Sequence, residues 1–137
     1  MANAKYDNTN QIMSANEWVG ARVKAYLFEG ASFDKTHTLL SQVRAGATQR
    51  NVTEIQNQAM GPDGAALGLP AMFNMTPKGS PYQVVLAWDQ NQADMLVLAY
   101  YDEDELGDDL ALLNNGTFIV RPSDFDQATG VGTWFVL

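Results

Sequence analysis

Short apolar runs separated by clusters of turn-forming residues dominate the C-terminal half of the sequence. Four such runs occupy residues 82–89, 95–102, 116–122 and 133–137. Each run has the length of a strand, is rich in β-branched and aromatic residues, and is bounded by Asp, Asn, Gly or Pro. The pattern predicts four strands joined by turns, and therefore an antiparallel, all-β architecture.

The first two of these runs are apolar at both odd and even positions. Successive side chains of a strand point to opposite faces, so both faces of these two strands are predicted to be covered. One face belongs to the core. The other requires a second sheet, an arm or a neighbouring subunit.

The N-terminal half contains weaker versions of the same pattern. Residues 23–30 alternate and predict a strand that ends at a glycine, and residues 48–55 predict an edge strand. Residues 31–43 fit two interpretations, a structured loop or a short helix capped by Ser32 or Asp34.

Residues 56–81 are the least regular part of the chain. Their Pro and Gly content argues against a long helix or a central strand, although residues 72–75 fit a short strand. Several apolar residues lie between these turn residues. Such a segment has to be covered, either over a barrel mouth or in a subunit interface.

Residues 1–15 are polar and rich in Asn and Gln. They predict an extended N-terminal arm that precedes a domain formed by residues 16–137. Fully extended, an arm of this length reaches about 50 Å. It either lies along a neighbouring subunit or frays as a free terminus.

Composition narrows the class of protein further. The chain has 137 residues, which suits one domain with one core, and it has no cysteine. It therefore has no disulfide, no thiolate nucleophile and no cysteine-ligated metal. No apolar run approaches the length of a membrane span, and the N-terminus lacks the apolar segment of a signal peptide.

The net charge of −8 is unevenly distributed. Residues 1–50 carry six basic and four acidic groups, net +2, whereas residues 82–137 carry ten acids and one arginine, net −9. This balance argues against nucleic acid as a partner, because phosphate binding needs clustered Lys and Arg. It fits either ordinary surface charge or a domain oriented on a partner with its basic part inward.

No catalytic motif is present in the sequence. His37 is the only histidine, and no nucleophile elbow, zinc-protease motif or phosphate loop accompanies it. His37 is therefore predicted to be a loop residue with a local hydrogen bond. Glycosidase chemistry requires two carboxyl groups whose pKa values are separated by an apolar environment. The acidic residues of this chain are packed together in one segment, which lacks such a pocket.

The segment 102–109 holds six carboxylates in eight residues. Calcium binding is the functional interpretation, but Leu106 and Leu113 stand where the loop of an EF-hand needs oxygen ligands. A looser cation site and a solvated acidic loop both remain open. No metal or cofactor is predicted.

Five aromatic residues are candidates for stacking on a sugar ring. They lie in or near the apolar runs, which favours packing in a core or an interface over exposure to a glycan. These residues are Trp18, Trp88, Tyr100, Tyr101 and Trp134.

Several stretches resemble a family of small virion proteins of tailed bacteriophages, of the capsid cement or decoration kind. The resemblance rests on the early strand Val23-Lys24-Ala25-Tyr26-Leu27, on Phe33 and His37 followed by Ser41-Gln42-Val43, and on strands near the C-terminus, including Gly116-Thr117-Phe118. It spans roughly residues 20–137. The chain departs from the family pattern after Val43, where residues 44–48 stand in place of a turn rich in Gly and Tyr.

The resemblance implies a β-sandwich, of jelly-roll type, that binds the outside of a capsid after assembly in the host cytoplasm. The implied partners are the major capsid protein and further copies of the chain, as a dimer or trimer. The alternatives are a carbohydrate- or receptor-binding module of a fibre, and another tail or connector protein. The residues predicted to make subunit contacts are Tyr6, Asn8 and Asn10 of the arm and Leu67, Leu69, Met72 and Phe73 of the apolar segment.

Overall fold

The computed structural model describes residues 4–74, 82–102, 110–114 and 117–137. These residues form three short helices, α1 (Thr9–Ile12), α2 (Ala15–Gly20) and α3 (Leu40–Arg44), and a 3₁₀ turn at Pro62–Gly64. The strands are β1 (Ala4–Lys5), β2 (Val23–Glu29), β3 (Thr48–Glu54), β4 (Ala59–Met60), β5 (Ala65–Gly68), β6 (Ala71–Phe73), β7 (Tyr82–Trp88), β8 (Leu96–Asp102), β9 (Leu110–Asn114), β10 (Thr117–Val120), β11 (Ser123–Asp126) and β12 (Val131–Val136).

The strands pair into three antiparallel sheets. The large sheet has the order β1-β8-β7-β2-β3, the four-stranded sheet β11-β12-β5-β4, and the three-stranded sheet β6-β10-β9. At the centre of the large sheet, β2 and β7 pair without interruption from Val23↔Trp88 to Glu29↔Tyr82. The antiparallel all-β architecture predicted from the sequence is thus confirmed, whereas the jelly-roll arrangement stays a prediction.

The inner face of the large sheet packs against the two smaller sheets. Their side chains form one cluster, to which the large sheet contributes Leu27 and Leu86, the three-stranded sheet Phe118, and the four-stranded sheet Trp134. Gly68 of β5 lies against Trp134, and a Cβ at this glycine would come within 3.0 Å of the indole Nε1. The close approach explains why the strand has a glycine there.

The outer face of the large sheet carries a second, smaller cluster. Tyr26, Val85 and Tyr100 point to this side and are covered by Tyr6 near the N-terminus and by Leu40 of α3. Every residue of β7 is buried. The sequence prediction that both faces of the central strands are covered is therefore confirmed, and the cover comes from the chain itself.

The region before β2 differs from the predicted extended arm. Residues 9–12 form α1, and Tyr6, Thr9 and Met13 are buried. The helix α2 follows, where Ser14 and Glu17 form a capping box and Trp18 is fully buried. The polar composition suggested an extended segment, but these few apolar side chains find partners far along the chain.

Two further predictions need correction. The helix in the ambiguous region begins at Leu40, after the cap residue Leu39, and neither Ser32 nor Asp34 caps it. Instead the Asp34 carboxylate accepts a hydrogen bond from the Thr36 backbone N–H at 3.0 Å. In the Pro- and Gly-rich segment, β5 is a central strand between β12 and β4, because its four residues fit between the turn residues.

Two further strand predictions agree with the structure, whereas one predicted connection does not. The edge strand predicted over residues 48–55 is β3, which lies at the edge of the large sheet. The short strand predicted at 72–75 is β6, Ala71–Phe73. The strand β9 interrupts the stretch predicted to be a simple connection between the second and third apolar runs.

Candidate functional site

A shallow hollow lies where the edge of the large sheet meets β6. Its volume is about 110 Å³. Thr53 and Glu54 of β3 form one side, and Leu69, Pro70 and Met72 form the other. The connection is fixed locally, since the Leu69 backbone N–H donates to the Gln56 carbonyl at 3.0 Å.

Apolar and charged groups share this hollow. Leu69 and Pro70 are half-buried, whereas Met72 exposes 53 % of its surface. At the polar side, the Arg22 guanidinium contacts the Glu54 carboxylate at 3.2 Å. An apolar patch with a polar border is the usual arrangement of a protein contact surface.

Within the described residues β3 is an edge strand, and its outer edge beside this hollow is blocked in part. Its pairing with β2 shifts between Leu27 and Phe28, which leaves Arg50 as a bulge residue. The Asn51 side-chain oxygen accepts a hydrogen bond from the Val52 N–H at 2.7 Å. Bulges and locally satisfied backbone groups hinder the pairing of an edge strand with another chain. Contacts at this margin therefore favour side chains over backbone groups.

A second concavity, of about 380 Å³, lies between β1 and the end of β12. The pairing of β11 with β12 begins at Ser123↔Thr133, and β12 extends beyond this pair toward its C-terminal end. Two side chains reach the backbone of β12 in this part: the Tyr101 hydroxyl donates to the Trp134 carbonyl, and Lys5 Nζ donates to the Val136 carbonyl at 2.5 Å. Burial lowers the pKa of Lys5 from its ordinary value. The ammonium and the phenol thus occupy acceptors that an added strand would need.

His37 lies in the loop between β2 and α3, as predicted. Its Nε2 is 3.7 Å from the Asp34 carboxylate, and its buried Nδ1 has no hydrogen-bond partner in the described part of the chain. The hydrogen bonds from Thr36 lower the pKa of Asp34, and proximity to His37 lowers it further. Within the described residues, no three His, Cys, Asp or Glu side chains gather into a metal-binding group.

The predicted cation site falls mostly outside the described residues. Asp102 ends β8, and the structure describes none of residues 103–109. The calcium hypothesis for this acidic segment therefore stays a prediction.

The seven residues predicted to make subunit contacts are placed very differently by the fold. Tyr6 and Phe73 are buried within the chain, Asn8, Leu67 and Leu69 are half-buried, and Asn10 and Met72 are exposed. Only Leu69 and Met72 among them meet in one place, the hollow beside β3. Contacts between copies are not visible in a single chain, so the interface itself stays a prediction.

The aromatic residues are used inside the molecule. All fourteen lie in the described part of the chain; Phe33 and Phe125 are half-buried and the other twelve are buried. The sequence prediction that the five aromatics first considered for sugar binding pack in a core is confirmed. A flat exposed ring, the usual platform for a sugar, is not available on this surface.

Sequence reasoning missed the packed N-terminal segment. Tyr6 packs on Phe33 with ring centroids 5.2 Å apart, and Phe33 packs on Tyr100 at 5.3 Å. One available signal was the capping box Ser14-Ala15-Asn16-Glu17, which marks a helix start and hence an ordered segment. The partners themselves are distant in sequence and left no local signal.

None of the three helices in the described residues is long or apolar enough to cross a bilayer. No protein family, curated protein or solved structure was found to match this chain.

Proposed function

We propose that this protein is a structural protein of a bacteriophage virion, not an enzyme, that binds the outside of the capsid and stabilises the shell. Its partners are the major capsid protein and further copies of itself, as a dimer or a trimer. A protein that binds the assembled lattice, and not the free coat subunits, stabilises that lattice by mass action. Many weak sites acting together give tight attachment.

The observation that carries this proposal is the hollow beside β3 and β6. Its apolar side has Leu69, Pro70 and Met72, and its border is the ion pair of Arg22 with Glu54. A hollow of about 110 Å³ is too small to enclose a drug-sized ligand. It suits the insertion of one or two apolar side chains from a partner surface.

The scaffold behind the hollow supports the same function. The neighbouring residue, Phe73, is fully buried and packs on Phe118 with ring centroids 6.4 Å apart. This packing holds β6 in position and presents Met72 on the opposite face of the strand. A rigid surface loses little conformational entropy when it binds.

The charge distribution favours one orientation on the shell. Residues 1–50, which include β2 and part of β3, carry a net charge of +2, whereas residues 82–137 carry a net charge of −9. In the proposed orientation the basic N-terminal part faces the capsid, and the acidic part faces solvent. Binding in this orientation weakens as the salt concentration rises.

The substitution Met72→Glu tests the proposal. A buried, unpaired carboxylate in the contact is expected to weaken co-sedimentation with empty capsids of the encoding phage at least tenfold. Because Met72 is exposed, the melting temperature is expected to stay within a few degrees.

Val19→Glu is the matched control, because Val19 is also 53 % exposed but lies on α2. It is expected to leave capsid binding unchanged. An equal loss of capsid binding in both variants would show that the hollow is not the contact surface. Failure of the wild-type protein to bind capsids would contradict the proposed function itself. A glycan-array signal without capsid binding would favour the alternative, a carbohydrate- or receptor-binding module, and recovery with isolated tails would favour a tail or connector protein.

A further inference from the structure

The N-terminal segment, residues 4–12, crosses the edge of the large sheet and is here called the clasp. Its backbone is joined to β8 through the paired residues Ala4↔Tyr100 and Lys5↔Ala99. The Tyr6 N–H donates to the Leu98 carbonyl at 3.1 Å. The buried Thr9 hydroxyl donates to the same carbonyl at 2.7 Å, so the clasp is fixed at both of its ends.

The seat of the clasp is apolar and fits Tyr6 closely. The side chain of Tyr6 exposes 1 % of its surface and packs on Phe33, which in turn packs on Tyr100. Beside these rings, the Asp7 N–H donates to the Lys35 carbonyl at 2.9 Å. The clasp therefore covers part of the outer cluster and holds the loop before α3 against the sheet.

The clasp has little structure of its own. The strand β1 has two residues, and α1 has four residues with no side-chain hydrogen bond at its N-terminus. Helices this short do not form alone in water. The order of the clasp thus comes from its seat and not from its own sequence.

A natural pivot connects the clasp to the rest of the chain. Met13 and Ser14 both have extended backbones, with φ of −130° and −94°. Met13 is buried in the inner cluster and Trp18 follows it there, so the chain beyond the pivot is anchored. Rotation about the N–Cα bond of Met13 moves the clasp as a unit while the Met13 side chain and the capping box of Ser14 stay in place.

We propose that the clasp exchanges between two copies of this chain, so that residues 4–12 of one copy occupy the seat of the other. The structure favours a second copy as the occupant, because residues 4–12 fit this seat closely and every copy carries the same segment and the same seat. The exchanged and unexchanged forms make the same contacts. Their balance is set by the pivot and by protein concentration.

Extended from its pivot, the nine-residue clasp reaches about 30 Å, enough to bridge to an adjacent molecule. The inference does not require a capsid. It is tested on the purified protein in solution, so that its failure and the failure of the proposed function are separate results.

The absence of cysteine makes a direct test possible. In the double variant Lys5→Cys with Ala99→Cys, the two cysteines replace directly opposed residues of an antiparallel pair. Their Cα atoms lie within the range that a disulfide spans. After refolding at high protein concentration and oxidation, non-reducing electrophoresis is expected to show a covalent dimer whose yield falls on dilution.

The matched control is Ala25→Cys with Thr53→Cys, an opposed pair in β2 and β3 that lies outside the clasp. It is expected to give a monomeric disulfide at every concentration. A clasp pair that also gives only monomeric disulfides, or none, overturns the proposal. The unmodified chain provides an independent check: after refolding at high concentration it is expected to elute partly as a dimer that dissociates slowly on dilution, and elution as a monomer alone overturns the proposal as well.

Discussion

The two faces of the large sheet are buried in different ways. On the inner face, sheet packs on sheet, and large rings from distant strands meet, as where Trp134 contacts Tyr101 at 5.6 Å between centroids. On the outer face, short segments without extensive pairing lie over the sheet: the clasp, the loop before α3, and α3 itself. The inner face depends on the whole topology, whereas the outer face depends on local attachments.

Individual hydrogen bonds show what these attachments are. The buried Gln83 side chain of β7 accepts from the Ala31 N–H at 2.8 Å, and the Tyr100 hydroxyl donates to the Ala31 carbonyl at 3.1 Å. At the other end of the loop, the Leu40 N–H donates to the Met95 carbonyl at 2.8 Å. A covering layer fixed at a few points can open without unfolding of the sheet beneath it.

The largest effect is expected from Trp134→Ala on the inner face. Trp134 is fully buried, and its indole N–H donates to the Leu69 carbonyl at 3.2 Å. Loss of the ring is expected to lower the free energy of unfolding by about 3–5 kcal/mol. Urea unfolding followed by circular dichroism measures this change. Trp134→Phe, which retains an aromatic ring, is the control and is expected to lose less.

A smaller and more local effect is expected from Tyr6→Ala on the outer face. The expected loss is about 2–3 kcal/mol, at the low end for a buried aromatic residue, because the clasp can leave its seat. Hydrogen exchange is expected to accelerate in the clasp and β8 but not in β2. Acceleration throughout the sheet would show that the two faces are not separable.

Tyr6→Phe is the matched control for that experiment. The Tyr6 hydroxyl is buried and has no hydrogen-bond partner among the residues that the structure describes. Removing it is expected to leave the stability unchanged or slightly higher, because no hydrogen bond is lost and a desolvated polar group disappears. A clear loss of stability would show that the hydroxyl has a partner in solution.

The smallest effect is a change of slope at alkaline pH. Burial, with the nearby Asp102, raises the pKa of Tyr100 to about 12, and burial raises the pKa of Tyr101 well above its ordinary value. The unfolded chain loses these protons first, near pH 10. The stabilisation that the protonated phenols provide is therefore complete below about pH 10 and declines above it, toward about pH 12 for Tyr100 and over a higher range for Tyr101.

Urea midpoints measured across that range test this dependence. Tyr100→Phe removes one of the titrating groups and is expected to make the decline shallower. At neutral pH the same variant is expected to be less stable by about 1 kcal/mol, because it loses the hydrogen bond to Ala31. A decline equally steep in both proteins would assign the alkaline loss to other groups.

The sequence predicted the strands of the large sheet better than their surroundings. β7 and β8 are apolar at both odd and even positions, which is a local property of the sequence. This property correctly predicted that both faces of these strands are covered. The order of the strands is set by pairings between distant segments, and no local pattern encodes it. The clasp was missed for the same reason, since Tyr6 is ordered by Leu98 and Phe33.

The candidate contact surface was predicted only in part. Met72 and Phe73 were grouped because both are apolar and lie in a turn-rich segment. On β6 they are successive residues, so they point to opposite faces, and one is exposed while the other is buried. The short strand predicted over residues 72–75 already implied this alternation, but the alternation alone does not tell which of the two faces is buried. The contribution of Thr53 from β3 could not be predicted without the tertiary fold.

The hydrogen bonds at these two strand edges have a consequence for concentrated solutions of the protein. Unpaired edges on closely spaced molecules template fibrillar aggregation, because each backbone offers hydrogen bonds to the next. Here Asn51 occupies the Val52 N–H of β3, and Lys5 occupies the Val136 carbonyl of β12. Neighbouring molecules therefore find fewer free backbone groups at these two edges with which to form a shared sheet.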